Sequence, residues 1–560
     1  MKHRKTRNEL EFIRSQARDI FSPLRQTWTD VGQWVLPHRV RWMLSQRPGE
    51  RRNHHIVDTT HLLALRSNVA GFLEGNTSAT RPWVRFATED DTLDLPQTSI
   101  SWLQKFTNKV LRVLSNSSNF YDAVADFYFD YFTFNTGSYY IEELQQEGRL
   151  FFHVLMPGSY YVINGKFNEA AILVREFTLP VKALVETYGR KINGGWDWSN
   201  FSDSTRIMYE KSQYKELVDV VHVILENDSF DEEEPQILMN RQWHSYTYEL
   251  GRDANSQVDG AVTFASSGGN DPKLGNTFLN VSASRRKPFI VGKSTMGNFE
   301  YGEKGPSTDS LGLIKSLNKK AIGKDQALEQ MLRPALQGPA RLRKSYVSST
   351  PNTFVPTDAN SASQKGLRTI FEINPAIGSL IQDVSDLRQQ VDKHYFADFL
   401  LFLSSNPKTR TATEAAAIVK EQQLVIGPNL QSLNWSHNIP LIEFVADYVL
   451  FEDKTIGPPP PELAGKFLAP DFISIFAQAQ KAADLPSIDQ YMQAMAVVAQ
   501  INPRAIDKVN TDVYADIVAD RLYIPTGLNR DLLKLPVVSL HRLNHLQKSI
   551  HIELELLWLS

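Results

Sequence analysis

The hydrophobic period of this chain changes twice, and that limits what it can fold into. Up to Phe134, apolar residues recur at three- and four-residue steps, the spacing of one helix face; from Gly137 they alternate; after Pro306 the helical spacing returns. Such a chain sets a β-rich middle between two helical parts, so the expectation is an α+β, predominantly helical fold.

In the first part, Leu10, Ile13, Ala17, Ile20 and Leu24 build one apolar stripe, with Pro23 expected to kink or end the helix. Trp28, Val31, Trp34 and Val35 continue an apolar face up to Pro37. Helices are predicted over 62–73, 100–114 and 121–134, with a loop over 81–94. The third is crowded with Phe127, Tyr128, Phe129, Tyr131 and Phe132, so burial on more than one side is expected. In the middle, residues 139–144 and 150–155 flank Glu147-Gly148, a hairpin signal that 160–163 and 171–177 should extend into a meander. Helices over 181–188 and 202–214 follow. Residues 217–225 and 243–250 then suggest a small β module whose tip is Asp231-Glu-Glu-Glu234. In the last part, helices are predicted over 310–330, around Leu380 to His394, and from Thr411. Thr411 and Glu414 make a capping box, and that helix can run to about 450 with a kink at Gly427-Pro428. Forty residues would span roughly 60 Å, longer than a compact domain needs. Pro458 to Pro461 form a stiff break, and Leu540, Leu543, Ile550, Leu554 and Leu557 place an amphipathic helix at the tail.

Cysteine is absent, which excludes a disulfide scaffold, a Cys-ligated zinc or iron–sulfur centre and a cysteine nucleophile. No apolar run approaches the roughly 18 residues of a membrane span, and the basic N-terminus lacks an apolar continuation, so neither membrane nor secretory signal is expected. Sixty basic residues against 63 acidic ones leave a net charge of −3, yet residues 1–52 carry +7 and residues 281–346 carry +8. Basic bands on an acidic body suit a protein that meets a polyanion locally without gripping it everywhere.

No catalytic constellation assembles from the sequence. Gly292-Lys293-Ser294-Thr295 resembles the end of a phosphate-binding loop, but the first glycine that loop needs is Lys287 here, so a basic surface turn after a strand is the better reading. The acidic run at 231–234 reads as a solvated tip, because two-metal sites need carboxylates converging from separate elements. His54-His55 form no metal-binding pair. No catalytic residue, metal or cofactor is expected. Lys315 with Lys319, and Lys320 with Lys324, make two like-charged i,i+4 pairs on one helix. An anionic partner would offset their repulsion; a wet lysine-rich face is the alternative. Lys408 and Arg410 sit between two long helices.

Several segments together resemble the head-to-tail connector, or portal, proteins of short-tailed (T7-like) bacteriophages. Tyr301-Gly302-Glu-Lys-Gly305-Pro306, followed by Ile314-Lys-Ser-Leu-Asn318, is similar to that family's Tyr-Gly-x-Gly-Pro and Ile-Lys-x-Leu-Asn pattern, with Lys304 as an extra residue. Thr411-Ala-Thr413-Glu414 with Gly427-Pro428 resembles its long helix, and Trp34-Val-Leu-Pro37, Asp58-Thr59 and Arg81-Pro82-Trp83 keep its order. The resemblance implies a ring, usually of twelve subunits, at one capsid vertex, through which double-stranded DNA is packaged and ejected. Within each subunit it implies a wing (1–200 and 331–460), paired stem helices (201–216 and 301–330), a β-rich clip (217–300), a channel loop (404–410) and a helical crown (461–560). It also implies partners: a terminase motor, major capsid and scaffolding proteins, and tail adaptors. Location would be the virion, with assembly in the host cytoplasm. On this layout Lys315, Lys319, Lys320, Lys324, Lys408 and Arg410 approach DNA. The competing readings are a packaging NTPase or nuclease, and a structural tail or scaffold protein without a channel.

Overall fold

The computed structural model describes residues 5–44, 53–88, 96–144, 147–192, 194–230, 240–250, 278–294, 305–332, 336–337, 368–369, 377–397, 427–451, 457–463, 468–473, 491–495 and 498. Chain contacts divide it into two compact units. The larger comprises Met1–Arg81, Arg85–Thr409 and Leu424–Asp471; the smaller comprises Pro82–Val84, Arg410–Gln423 and Phe472–Ser560. Within the smaller unit the rings of Trp83 and Phe472 stack at 6.3 Å, and the Ile473 N–H donates to Trp83 O at 2.9 Å.

The chain opens with α1 (Arg7–Val35), begun by a capping box in which Thr6 Oγ1 accepts from the Glu9 N–H and Glu9 accepts from the Thr6 N–H. Pro23 lies inside this helix and does not end it. Pro23 sits on the exposed side, where water can take the carbonyl bond that the missing N–H leaves open. The short α2 (Arg41–Leu44) and α3 (Thr60–Asn76) follow. Val84–Thr88, inside the expected loop, is strand β1, and Arg85 Nε meets Asp471 at 2.8 Å. Next come α4 (Gln97–Asn116) and α5 (Phe120–Phe134). Helix α5 is buried along most of its length, as its aromatic content predicts, and packs against α1, α3 and α4. It stops where Asn135 takes the left-handed conformation (φ 60°), which asparagine tolerates better than most residues.

The β region comprises β2 (Thr136–Leu144), β3 (Arg149–Val154), β4 (Tyr160–Asn164) and β5 (Ala170–Pro180). After α6 (Val181–Tyr188) come the two-residue strands β6 (Lys191–Ile192) and β7 (Gly195–Trp196), α7 (Asp203–Glu210), β8 (Leu217–Glu226), β9 (Trp243–Glu249), β10 (Asn280–Ser284) and β11 (Phe289–Lys293). The expected meander does not form: β2 lies between β3 and β11 in a three-stranded sheet, whereas β4 and β5 join β8, β9 and β10 in a separate five-stranded sheet of order β10-β9-β8-β5-β4. The strands of the expected small β module over 217–250 continue the sheet from β5, with Val174 opposite Val223. Alternation explains the cost of any other register. Val221 and Val223 of β8 pack with Leu10 and Ala17 of α1, while Val218 and Val220 pack with Leu184 and Val185 of α6. Helix α7 has eight residues, fewer than the 202–214 expected, and packs on α6.

Two long helices follow, α8 (Pro306–Leu332) and α9 (Ile377–His394), joined through Leu317, Val384 and Leu387. Residues 427–433 are helical, Asn434–Asn438 form one π-helical turn, and α10 (Ile439–Phe451) completes the run. Gly427-Pro428, the expected kink, stands at the first described residues of this run. Within the described run the departure from α geometry lies before Pro440, which has no N–H for the Ser436 carbonyl. The 231–234 cluster, the 411–426 segment and the tail helix lie outside the described residues.

The π turn carries a buried polar chain. His437 Nδ1–H donates to Asn438 Oδ1 (2.7 Å), and the Tyr139 hydroxyl donates to His437 Nε2 (2.7 Å). Asn438 Nδ2 donates to Asn434 (2.6 Å) and to Asn76 (3.3 Å), whose Nδ2 donates to Tyr128 Oη (3.0 Å). Burial pushes the His437 imidazole down to about 4 and His222 well below its ordinary range. The unfolded chain therefore takes up a proton at His437 near pH 6.5, before the folded chain does. The stability tied to this neutral histidine is present above pH 6.5 and is lost as pH falls towards 4, by about 3 kcal/mol for a shift of this size. Thermal midpoints at pH 7 and pH 4.5 should show that loss. His437→Gln should be less stable at pH 7 but lose less on acidification.

Candidate nucleic-acid interface

Helix α8 bears the expected lysines and the clearest family motif. Pro306 is its first residue, a position that needs no N–H. Gly305 precedes it because a Cβ there would overlap the Asn135 side chain. Asn135 Nδ2 donates to Thr308 Oγ1 at 2.9 Å, so the left-handed residue that ends α5 also seats the start of α8. Ser307 Oγ donates to Phe132 O (2.7 Å) and lies 2.8 Å from Tyr395 Oη.

Three turns further on, Asn318 is 1% exposed and fully used. Its Oδ1 accepts from the N–H groups of Val57 (2.8 Å) and Asp58 (3.0 Å), and its Nδ2 donates to Ile314 O (2.9 Å). Asp58 in turn accepts from the Thr60 N–H and hydroxyl at the start of α3, and from Arg388 Nε and Nη2 of α9 at 3.0 and 2.8 Å. Burial alone would raise the Asp58 carboxyl, but these donors hold it below its ordinary value. Asn318, Asp58 and Arg388 thus tie α3, α8 and α9 together. The motif asparagine is a structural tie.

The lysines divide differently from the two pairs expected. Lys315 Nζ meets Asp30 of α1 at 2.5 Å, and Lys320 Nζ meets Asp383 of α9 at 2.5 Å. One lysine of each pair is therefore taken by the chain itself, because α8 runs between two helices that each present an aspartate. Among the described residues, the ion pair of Lys324 is with its neighbour Asp325, at 3.9 Å. Lys319 is exposed, with no carboxylate partner among the described residues. Lys408, Arg410, Tyr301, Gly302, Thr411, Thr413 and Glu414 lie outside the described residues.

The phosphate-loop look-alike is not a surface turn. Gly292 and Lys293 end β11, and Lys293 is 3% exposed. Its Nζ donates to Asn168 Oδ1 (2.8 Å) and Asn168 O (3.2 Å). A Cβ at Gly292 would come within 2.5 Å of the Phe127 ring, so this glycine serves packing. The tie through Asn135 escaped the sequence reading, although an asparagine just past the last aromatic of α5 is a helix-stop signal.

Residues 7–260 and 272–529 match the family described as bacteriophage head to tail connecting protein. The chain belongs to that family. The probable portal protein of Bordetella phage BPP-1 is 29% identical to this connector over 504 residues, covering 90% of this chain and 84% of that protein. The portal protein of Salmonella phage epsilon15 is 29% identical over 499 residues, covering 88% and 83%. A chain of the solved virion of a native gene transfer agent particle aligns over 82% of this connector and 94% of its own length at 9% identity, with a TM-score of 0.32, below the level at which folds count as alike.

The junction makes a sharp prediction. Gly305→Ala should destabilise the connector by about 2 kcal/mol or more through the overlap with Asn135. Asn135→Gly removes that side chain at a left-handed position suited to glycine, so the double variant should recover part of the loss. Thermal midpoints of the two single variants and the double variant check this.

Proposed function

We propose that this connector assembles as a ring, of twelve copies on the family pattern, at one capsid vertex, and passes double-stranded DNA inward during packaging and outward during infection. The observation that carries the reading is the family match across nearly the whole chain. In this reading residues 1–200 and 331–460 form the wing, α8 is the stem helix beside the channel, residues 217–300 form a clip continuous with the wing through the β5–β8 pairing, and residues from 461 form the crown. A separate motor supplies ATP hydrolysis, with capsid, scaffolding and tail adaptor proteins docking on the ring.

The charge layout supports passage without capture. Many fixed lysine–phosphate contacts would add up to a tight, salt-dependent complex. Holding Lys315 and Lys320 in intramolecular ion pairs leaves Lys319 and Lys324 as the cations of α8 for DNA, and a ring repeats each of them in every subunit. The enzymatic alternative is weakened by Lys293, which ends a strand, is buried and spends its ammonium on Asn168.

Purified rings should appear hollow in class-averaged micrographs, with a mass of about 0.76 MDa for twelve copies of a 63.6 kDa chain. A chain that stays monomeric under assembly conditions would count against the reading. Lys319→Ala with Lys324→Ala should leave rings and thermal midpoints nearly unchanged but weaken DNA retention, more at low salt than at high. Lys315→Ala and Lys320→Ala should instead each lower stability by up to about 1 kcal/mol, read as a small drop in thermal midpoint, because their ion pairs are partly exposed. Equal retention across salt in the Lys319/Lys324 variant would show that these charges do not meet DNA.

A further inference from the structure

Trp28 is 2% exposed, and its indole N–H has no acceptor among the described residues. A buried N–H without a partner opposes folding unless something meets it. Trp28 also lines a cavity of about 60 Å³ bounded by α1, α2 and β4. Phe21 and Met43, both buried, form its inner wall. Gly158 closes one side with φ at 83°, so close to Met43 that a Cβ would overlap that side chain. A space of this size takes a few waters or one small ion.

The polar groups around the space are donors. Arg18, Ser22, Arg25 and Tyr161 complete the lining, and no carboxylate among the described residues belongs to it. Residues 18, 22, 25 and 28 follow the three- and four-residue steps of one helix face, so α1 itself aligns them. Ser22 and Arg25 are exposed and form the mouth, while Arg18 is half-buried. The Arg18 guanidinium has no hydrogen-bond or ion-pair partner among the described residues, and Arg25 uses only Nη2, on Met43 O at 3.0 Å. The carboxylate that bears on Tyr161, Glu176, is already taken by Arg14 at 2.7 Å. Burial raises the Tyr161 hydroxyl, so it keeps a proton to donate at neutral pH. Two guanidinium groups around one small space repel each other, and neither has the aspartate that Lys315 and Lys320 find.

The geometry points to a binding site for one tetrahedral oxyanion of the size of inorganic phosphate, held by Arg18 and Arg25, with the Trp28 indole N–H and the Ser22 and Tyr161 hydroxyls as further donors. A guanidinium fork matches two oxygens of such an ion, which favours it over a spherical halide. A phosphodiester of nucleic acid carries a sugar on both sides and stays outside so small a space, so the ligand is the free ion. Bound there, it would join α1 to β4 and to the turn at Gly158. The site stands apart from the ring reading and from the DNA contact proposed for α8.

Titrating the full chain with inorganic phosphate at constant ionic strength tests the site, read by calorimetry and by thermal midpoint. Binding should saturate, and the midpoint should rise with phosphate. Arg18→Gln and Arg25→Gln change side chains that reach solvent, so both variants should fold; each should weaken binding by about tenfold or more, and the double variant should abolish it. Trp28→Phe keeps a ring in the core but removes the N–H, and should weaken binding about fivefold or more. Lys105→Gln, an exposed cation on α4, should change nothing. Chloride should bind at least about tenfold more weakly than phosphate. A short DNA duplex without terminal phosphates should not displace it. Absence of saturable binding, full binding by the double arginine variant, or a midpoint rise shared equally by every variant would overturn the site. Chloride binding as tightly as phosphate, or displacement by the duplex, would overturn the assignment of its ligand.

Discussion

Everything in the larger unit accommodates one helix that has almost no wet side. Helix α5 buries Phe120, Phe127, Tyr128, Tyr131, Phe132 and Phe134 and leaves Asp122 and Asp126 exposed, so polar groups on its buried side are best met by partners inside the protein. Asp130, fully buried, accepts from Arg39 Nε at 2.8 Å. The Tyr128 hydroxyl is met by Asn76 and Thr77, and the Tyr131 hydroxyl donates to Lys293 O. The partners come from the loop after α1, the end of α3 and the end of β11. Burying α5 therefore brings together elements far apart in the chain.

The same constraint explains the π turn. His437 lies 4.2 Å from the Phe127 ring and accepts from Tyr139, so the turn before Pro440 reaches into the aromatic layer around α5. Because a half-satisfied polar chain in such surroundings would be costly, the run from Tyr139 through His437, Asn438 and Asn76 to Tyr128 is continuous. Around the outside, charge is handled differently. Lysines of α8 that face neighbouring helices, Lys315 and Lys320, are matched by Asp30 and Asp383, while Lys319 and Lys324 are not. That is compatible with a net charge of −3 on the whole chain.

Much of this was legible in the sequence, and the parts that were not share a cause. The helices over 62–73, 100–114 and 181–188 are present because a three-to-four-residue apolar period forces one buried face whatever lies opposite. Strand positions 139–144 and 217–225 were equally readable. Their partners were not: period two says that a strand has two faces, and nothing in it says that β5 pairs with β8 or β2 with β11. Of the two outcomes expected at Pro23, a kink or an end, the end does not occur, since whether a proline ends a helix depends on whether its lost bond faces water.

The sequence by itself determined the class of the fold, the order of its longer helices, the lack of thiol chemistry and, through Gly305, Pro306 and Asn318, the family. These follow from local spacing and residue chemistry, which the chain carries wherever it goes. The tertiary structure alone decided what those residues do. Gly305 is required by Asn135, Asn318 is a tie to residues 57 and 58, and Lys293 lies beneath a turn. Of four similar lysines on α8, only Lys319 is exposed without a carboxylate among the described residues. Whether a charge is held or offered depends on what stands across from it, and residues 30 and 383 reach α8 only after the chain has folded.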